Sequence, residues 1–143
     1  MKIPYTKMHG TGNRILVVDQ RHGTALVPTP EQLRILGDEA SGPGFDQLMW
    51  IYATDDPAFA AGYRIFNNDG SEVEQCGNGV RCVASVLANE SGHPQAFTLL
   101  SPAGPIDARV DDDGLVTVSM GTPEFDPERI PFVAAQREAR YAI

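Results

Sequence analysis

The sequence has no long apolar run, no excess of basic residues and little cysteine. None of the apolar stretches in its 143 residues approaches the length of about 20 residues that spans a bilayer. Residues 1–10 lack the apolar core of a secretory signal. Lysine and arginine number 11 against 19 aspartate and glutamate residues, which gives a net charge of −8. We therefore expect a cytoplasmic protein with neither nucleic acid nor a membrane as partner.

The chain has only two cysteines, Cys76 and Cys82, and they lie in one short segment. If that segment is helical, six residues of rise separate their Cα atoms by about 9 Å. A disulfide needs Cα atoms within about 7 Å, so a bridge between them is not expected. The spacing is not C-x-x-C and no histidine adjoins it, so we predict no metal site.

Short strands make up most of the predicted secondary structure. Runs of β-branched and apolar residues predict them at residues 5–10, 14–19, 46–53, 62–67, 96–101, 106–111 and 115–120. We predict one domain over residues 1–143, of the α+β class, in which an antiparallel, barrel-like β-sheet wraps around a central buried helix. The connections are short, which argues against repeated βαβ crossovers.

Two helices interrupt the strands. Thr29 and Gln32 have the spacing of a capping box, with a proline between them, and predict the start of the first helix. We expect residues 41–44, which are rich in glycine, to end it. Valine and leucine residues at helical spacing predict a second, largely buried helix that begins at Asn78 and ends at Gly92.

The segment EQCGNGVRC, residues 74–82, combines a cysteine with the start of the second helix. The first N–H groups of a helix have no internal partner, and its N-terminus carries partial positive charge. Both features stabilise a thiolate at Cys76 or a bound carboxylate, and the glycines at 77 and 79 let a ligand approach. This combination suits proton abstraction next to a carboxylate. Cys76 could also be a small core residue, which is the interpretation we favour for Cys82 in the apolar helix.

Four blocks of the sequence, residues 7–13, 44–47, 63–82 and 120–132, resemble diaminopimelate epimerase. The resemblance implies a cofactor-independent isomerase that interconverts LL- and meso-diaminopimelate in lysine and peptidoglycan biosynthesis. It also implies two similar domains, each contributing one catalytic cysteine to a site between them. The second catalytic block has no counterpart here. The chain is thus expected to be the N-terminal domain and to be inactive alone, with a bare face that favours a homodimer.

The resemblance also assigns roles to individual residues. Cys76 corresponds to the catalytic cysteine of the first domain. Five positions correspond to residues that bind the amino-acid substrate, namely Asn13, Gln47, Asn67, Gly77 and Asn78. Without the resemblance, the first three of these would be interpreted as turn, strand-end and hairpin residues.

Two features depart from the family pattern. Arg14 stands where the family usually has an acidic residue, and the loop at residues 37–44, usually basic, is acidic here. These departures leave open an epimerase or racemase of another amino acid. A third alternative is a non-catalytic domain that binds a ligand or a partner.

Overall fold

The computed structural model describes residues 2–92 and 94–141. In this part of the chain there are eight strands, two α-helices and one 3₁₀ turn. They are β1 (Thr6–Gly10), β2 (Asn13–Asp19), α1 (Pro30–Gly37), β3 (Gln47–Tyr52), β4 (Ala61–Asn67), β5 (Glu72–Val73), α2 (Gly77–Ser91), β6 (Gln95–Ser101), β7 (Gly104–Val110), β8 (Val116–Val118) and the 3₁₀ turn (Pro127–Arg129). Neither helix in the described ranges is long and apolar enough to cross a membrane.

One sheet holds all the strands, in the order β1-β2-β3-β4-β6-β7-β8, with β5 paired to β4. The α+β class is confirmed, but the sheet is mixed and not purely antiparallel as the sequence suggested. β2 runs parallel to β3, and β4 runs parallel to β6. Each parallel pair is joined through a helix, α1 in residues 20–46 and α2 in residues 68–94. Connections of that length can return the chain in the same direction, so two crossovers form.

The sheet curls around α2, as predicted. This helix contacts β1 and β2 at one end of the strand order, β7 and β8 at the other end, and β3 between them. A flat sheet could not touch one helix from both of its ends, so the sheet forms a partial barrel. Val80, Val83 and Ala84 of α2 are fully buried inside it.

The central strands are apolar on both faces because a helix covers each side of the sheet. Ile15 and Val17 of β2 belong to the core around α2, whereas Leu16 and Val18 belong to the core beneath α1. Side chains alternate between the two faces of a strand, so neighbouring residues enter different cores. The same alternation decides which polar residues at the strand ends face each helix.

The predicted capping box begins α1. The Thr29 side chain accepts a hydrogen bond from Gln32 N at 3.3 Å, and the Gln32 side chain accepts one from Thr29 N at 2.9 Å. Leu33 is fully buried below the helix. The helix ends at Gly37, before the glycine-rich residues 41–44 that were expected to stop it.

Gly70 provides a test of how the β4–β5 hairpin docks on α1. Its φ is +88°, and an added Cβ would lie 2.5 Å from Pro30 O. We expect Gly70→Ala to lower the free energy of unfolding by about 3 kcal/mol, since backbone strain and a backbone clash combine. Gly114 is the matched control, because its φ is +81° and no atom lies within 4 Å of an added Cβ. Gly114→Ala should cost about 1 kcal/mol in urea unfolding, and equal losses would contradict the docking argument.

A second test concerns Tyr63, which is 1% exposed. Its hydroxyl has no hydrogen-bond partner among the described residues. Burial raises the pKa of Tyr63 to about 12, and a negative charge on Cys76 adds to the shift. The Ser101 hydroxyl lies close enough to oppose the shift, but it donates to Gly104 O at 2.7 Å and leaves the phenol without a hydrogen bond.

We therefore expect Tyr63→Phe to leave the free energy of unfolding unchanged or to raise it by up to about 1 kcal/mol. In the unfolded chain the phenol ionises near its ordinary pKa of 10.0, and in the folded protein only at about 12, so stability should fall as pH rises through this window. That part of the alkaline decline should be missing in Tyr63→Phe. Urea unfolding of both proteins at neutral and alkaline pH measures it, and parallel declines would contradict the prediction.

Candidate active site

Cys76 is the N-cap of α2. Its backbone is extended, with φ −151° and ψ 98°, and its Sγ accepts a hydrogen bond from Gly79 N at 3.2 Å. The first intrahelical bond runs from Val80 N to Cys76 O at 2.9 Å. The sulfur thus takes the place of the Ser, Asp or Asn oxygen that usually caps a helix. The helix begins at Gly77, one residue before the predicted start.

Three side-chain amides form a row at one end of the sheet; we call Asn13, Gln47 and Asn67 the amide row. Gln47 pairs directly with Asn67 across β3 and β4, and β2 runs beside β3. Asn13 Nδ2 donates to Gln47 Oε1 at 3.2 Å, and Gln47 Nε2 donates to Asn67 Oδ1 at 3.1 Å. All three lie on the face of the sheet that packs against α2, since they alternate with the residues beneath α1.

The thiol of Cys76 lies against this row. Its Sγ donates to Gln47 Oε1 at 2.6 Å, and Asn13 Nδ2 lies 4.0 Å from the same sulfur. Asn67 is one hydrogen bond further away, through Gln47. The structure therefore brings Cys76 together with all three amides that the family resemblance indicated. The two amides in direct contact with the cysteine are 29 and 63 residues away from it in the chain.

The first turn of α2 can receive an anion beside the thiol. Gly77 and Asn78 precede the first residue whose N–H is bonded within the helix, and the turn holds no acidic residue. The Asn78 side chain is held between two neighbours. A Cβ on Gly10 would lie 2.9 Å from Asn78 Cβ, and Arg81 donates to Asn78 Oδ1. With its oxygen occupied by Arg81, the Asn78 amide can offer its nitrogen as a donor, which suits a carboxylate.

Three residues near the site were not found by sequence reasoning. Gly10 and Arg81 flank Asn78, and Met120 lies next to Gly77, where an added Cβ would be 3.5 Å from its Sδ. All three lie within the blocks that resemble the epimerase family, so their position in these blocks could have identified them as candidates for the site. Their type alone gave no reason to select them.

Arg14 faces away from the thiol. It alternates with Asn13 along β2 and so lies on the α1 side of the sheet, where it pairs with Asp46 and Glu39. Glu39 belongs to the acidic loop at residues 37–44. The two departures from the family pattern thus contact each other through Arg14 and Glu39. Neither residue lies on the face of the sheet that carries Gln47 and contacts Cys76.

Cys82 lies in the core, as expected. It is 4% exposed, and both cysteines are free. Burial raises the pKa of Cys82, a negative charge on Cys76 raises it further, and Arg81 partly opposes the shift. The two thiols therefore differ in access to solvent and in polar contacts, although they are six residues apart. Among the described residues, no group of three or more histidine, cysteine or acidic side chains could hold a metal ion.

The comparison with known proteins decides the family. A family profile described as diaminopimelate epimerase matches residues 5–125. The chain belongs to the diaminopimelate epimerase family. It is 48% identical over 137 residues to the diaminopimelate epimerase of Laribacter hongkongensis strain HLHK9, an alignment that covers 95% of this chain and 49% of the relative. The chain thus spans about half the length of that relative.

Solved structures share the fold at low sequence identity. A hydroxyproline epimerase from Agrobacterium vitis, with bound trans-4-hydroxy-L-proline, superposes with a TM-score of 0.64 at 19% identity, over 81% of this chain and 40% of that one. A probable proline racemase from Agrobacterium radiobacter K84 gives 0.66 at 20% identity, over 83% and 42%. Both likenesses cover less than half of the larger proteins, and they confirm the epimerase-like fold of this chain.

The contrast between the two thiols can be measured by alkylation. Because burial raises its pKa and blocks access, Cys82 should react with iodoacetamide only at alkaline pH or after unfolding. Cys76 is only partly buried and should react faster than Cys82 in the folded protein. Mass spectrometry of the two peptides over a pH series gives both rates, with the urea-unfolded chain as the control for intrinsic reactivity. Equal rates in the folded protein, or faster labelling of Cys82, would contradict the assignment.

Proposed function

We propose that this chain is the N-terminal half of a cofactor-independent epimerase that interconverts LL- and meso-diaminopimelate. The observation that carries the proposal is the position of Cys76, whose Sγ caps α2 and touches Gln47 Oε1 at 2.6 Å beside an open helix N-terminus. Membership of the diaminopimelate epimerase family supports this substrate.

In this proposal the α-carboxylate of the substrate binds at the first turn of α2. The N–H groups of Gly77 and Asn78 and the Asn78 side-chain nitrogen are the donors. The amide row, Asn13, Gln47 and Asn67, binds polar groups of the substrate beside the thiol. The partial positive charge at the helix N-terminus stabilises the negative charge that develops when the α-proton leaves.

Inversion needs an acid–base group on each face of the α-carbon. One thiolate accepts the α-proton while a thiol on the opposite face donates a proton to the carbanion-like carbon. Before the reaction one sulfur is a thiolate and the other a thiol, and afterwards these states are exchanged. Cys76 serves one face. The other thiol belongs to a second domain, so we expect this chain alone to bind substrate weakly and not to turn it over.

The remaining properties of the whole protein are also proposals. We propose a cytoplasmic location, because the substrate is a biosynthetic intermediate, and no resident cofactor, because the two thiols suffice for the proton transfers. A homodimer remains a prediction that sedimentation of the purified chain would measure. The case for a different amino acid as substrate is weakened because Arg14 lies on the face opposite Cys76.

A chimera tests the proposal directly. Residues 1–143 would be joined to the half of the Laribacter hongkongensis diaminopimelate epimerase that this chain does not match. We expect the chimera to exchange and invert the α-proton of diaminopimelate in deuterated water, followed by NMR. Cys76→Ala should abolish both, and Cys76→Ser should lower the rate by about 10³-fold or more, because a hydroxyl is a far poorer base.

Cys82→Ala is the matched control, since it removes the buried thiol and should leave the rate within a few-fold of the parent. A folded chimera that inverts another amino acid but not diaminopimelate would favour the alternative substrate. A folded chimera with no activity on a panel of amino acids would favour a binding domain. Inversion by the 143-residue chain alone, above its own Cys76→Ala control, would overturn the two-domain mechanism.

A further inference from the structure

We propose that Arg14, Asp46 and Glu39, on the face of the sheet opposite Cys76, form a positioning cluster that holds the amide row in register with the thiol. The proposal rests on the proposed function for the roles of Asn13 and Gln47. Arg14, Asp46 and Glu39 are positioning residues, since they act through the backbone and do not face the substrate.

The cluster is tied to both strands by backbone and side-chain bonds. Arg14 N donates to Asp46 Oδ2 at 2.8 Å, and Asp46 N donates to Arg14 O at 2.9 Å. The guanidinium also donates two hydrogen bonds to Asp46 Oδ1, one from Nε at 3.2 Å and one from an Nη nitrogen at 2.7 Å. A carboxylate that accepts from both a backbone N–H and a guanidinium is fixed in geometry, not only in charge. Hydrogen bonds from Arg14 also hold the pKa of Asp46 below its usual value, which favours the ionised carboxylate of the pair.

These residues are the immediate chain neighbours of the amide row. Arg14 follows Asn13 and Asp46 precedes Gln47, so the bonds between Arg14 and Asp46 join the backbones from which the two amides project. Alternation places the ion pair on the α1 side and the amides on the α2 side of the same strand ends. A shift of one strand end against the other would lengthen the contact between Asn13 Nδ2 and Gln47 Oε1, which is now 3.2 Å.

Glu39 connects the cluster to the loop that follows α1. It pairs with the other nitrogen of the Arg14 guanidinium, so Arg14 joins three segments of the chain. The side chains are partly exposed, with 40% for Arg14, 38% for Asp46 and 68% for Glu39. Pairs this exposed add little to overall stability. A function in placing the strand ends therefore accounts for the cluster better than a contribution to stability does.

The reactivity of Cys76 reports the position of the amide row without any substrate. Gln47 Oε1 accepts from the Cys76 S–H at 2.6 Å, so the sulfur is in direct contact with the amide row. If the strand end moves, this contact is lost and the sulfur becomes more accessible to an alkylating reagent. Because the readout needs no substrate, its failure is distinguishable from failure of the proposed epimerase activity.

The test measures Cys76 alkylation against pH in the 143-residue chain. Arg14→Asp places three carboxylates together and should speed alkylation at neutral pH by about threefold to tenfold, the effect of losing one hydrogen bond. Arg14→Gln is the milder variant if Arg14→Asp does not fold, and it should change the rate in the same direction by about threefold.

The charge-exchanged double variant separates positioning from simple damage. In R14D/E39R the arginine at position 39 supplies the positive charge from the loop that follows α1. The alkylation profile should then return to within about twofold of the parent. Such a non-additive effect is typical of residues in contact. Arg64→Asp is the matched control. Arg64 pairs with Glu72 through two hydrogen bonds at 2.7 and 2.6 Å on the same side of the sheet, with both side chains 40% exposed, but neither residue adjoins Asn13 or Gln47.

Arg64→Asp should lower urea stability about as much as Arg14→Asp and leave the Cys76 profile unchanged. The proposal is overturned if folded Arg14→Asp and Arg14→Gln alkylate at the parental rate, or if Arg64→Asp shifts the profile equally. It is also overturned if the double variant is no closer to the parent than Arg14→Asp is.

Discussion

The contact between the start of α2 and the end of the central strands is the constraint on which the site depends. Cys76 must end an extended segment, cap the helix and touch Gln47 at the same time. The helix N-terminus supplies its charge and its free N–H groups only at that point, and both effects fade within a turn. A displacement of α2 by one turn along its axis would therefore separate the thiol from the amides and from the anion site together.

The sheet provides this placement by wrapping around the helix. Edge strands at both ends of the order touch α2, so the helix is enclosed and has little freedom to slide. At Gly79 an added Cβ would lie 2.4 Å from Met49 Sδ, so the first turn of the helix packs closely against β3. The packing below the helix and the cap at its N-terminus then restrain the helix in different directions.

The two parallel crossovers explain why residues far apart in the chain share one sheet edge. The first crossover carries the chain across α1 and returns it beside β2, so Gln47 enters next to the strand that begins at Asn13. The antiparallel step from β3 to β4 then brings Asn67 opposite Gln47. Burial on both faces makes these registers strict, because a slip of one residue would move apolar side chains to the wrong core and the amides to the wrong face.

Local patterns in the sequence determined the elements and part of the chemistry. The capping box at Thr29, the helical spacing after Asn78 and the cysteine before a glycine-rich first turn depend on residues a few positions apart, so they could be recognised without tertiary structure. The family resemblance supplied the amides as a set, but not their arrangement.

Only the tertiary structure decided the parallel pairing, the order of the amide row and the side of the sheet on which Arg14 lies. From sequence, Arg14 and the acidic loop at residues 37–44 were two separate departures from a pattern, whereas in the fold Arg14 binds Glu39 across 25 residues of chain. Strand pairing and register arise from burial on two faces and from the path of long connections. No short window of sequence contains that information, because the partner residues come from distant parts of the chain.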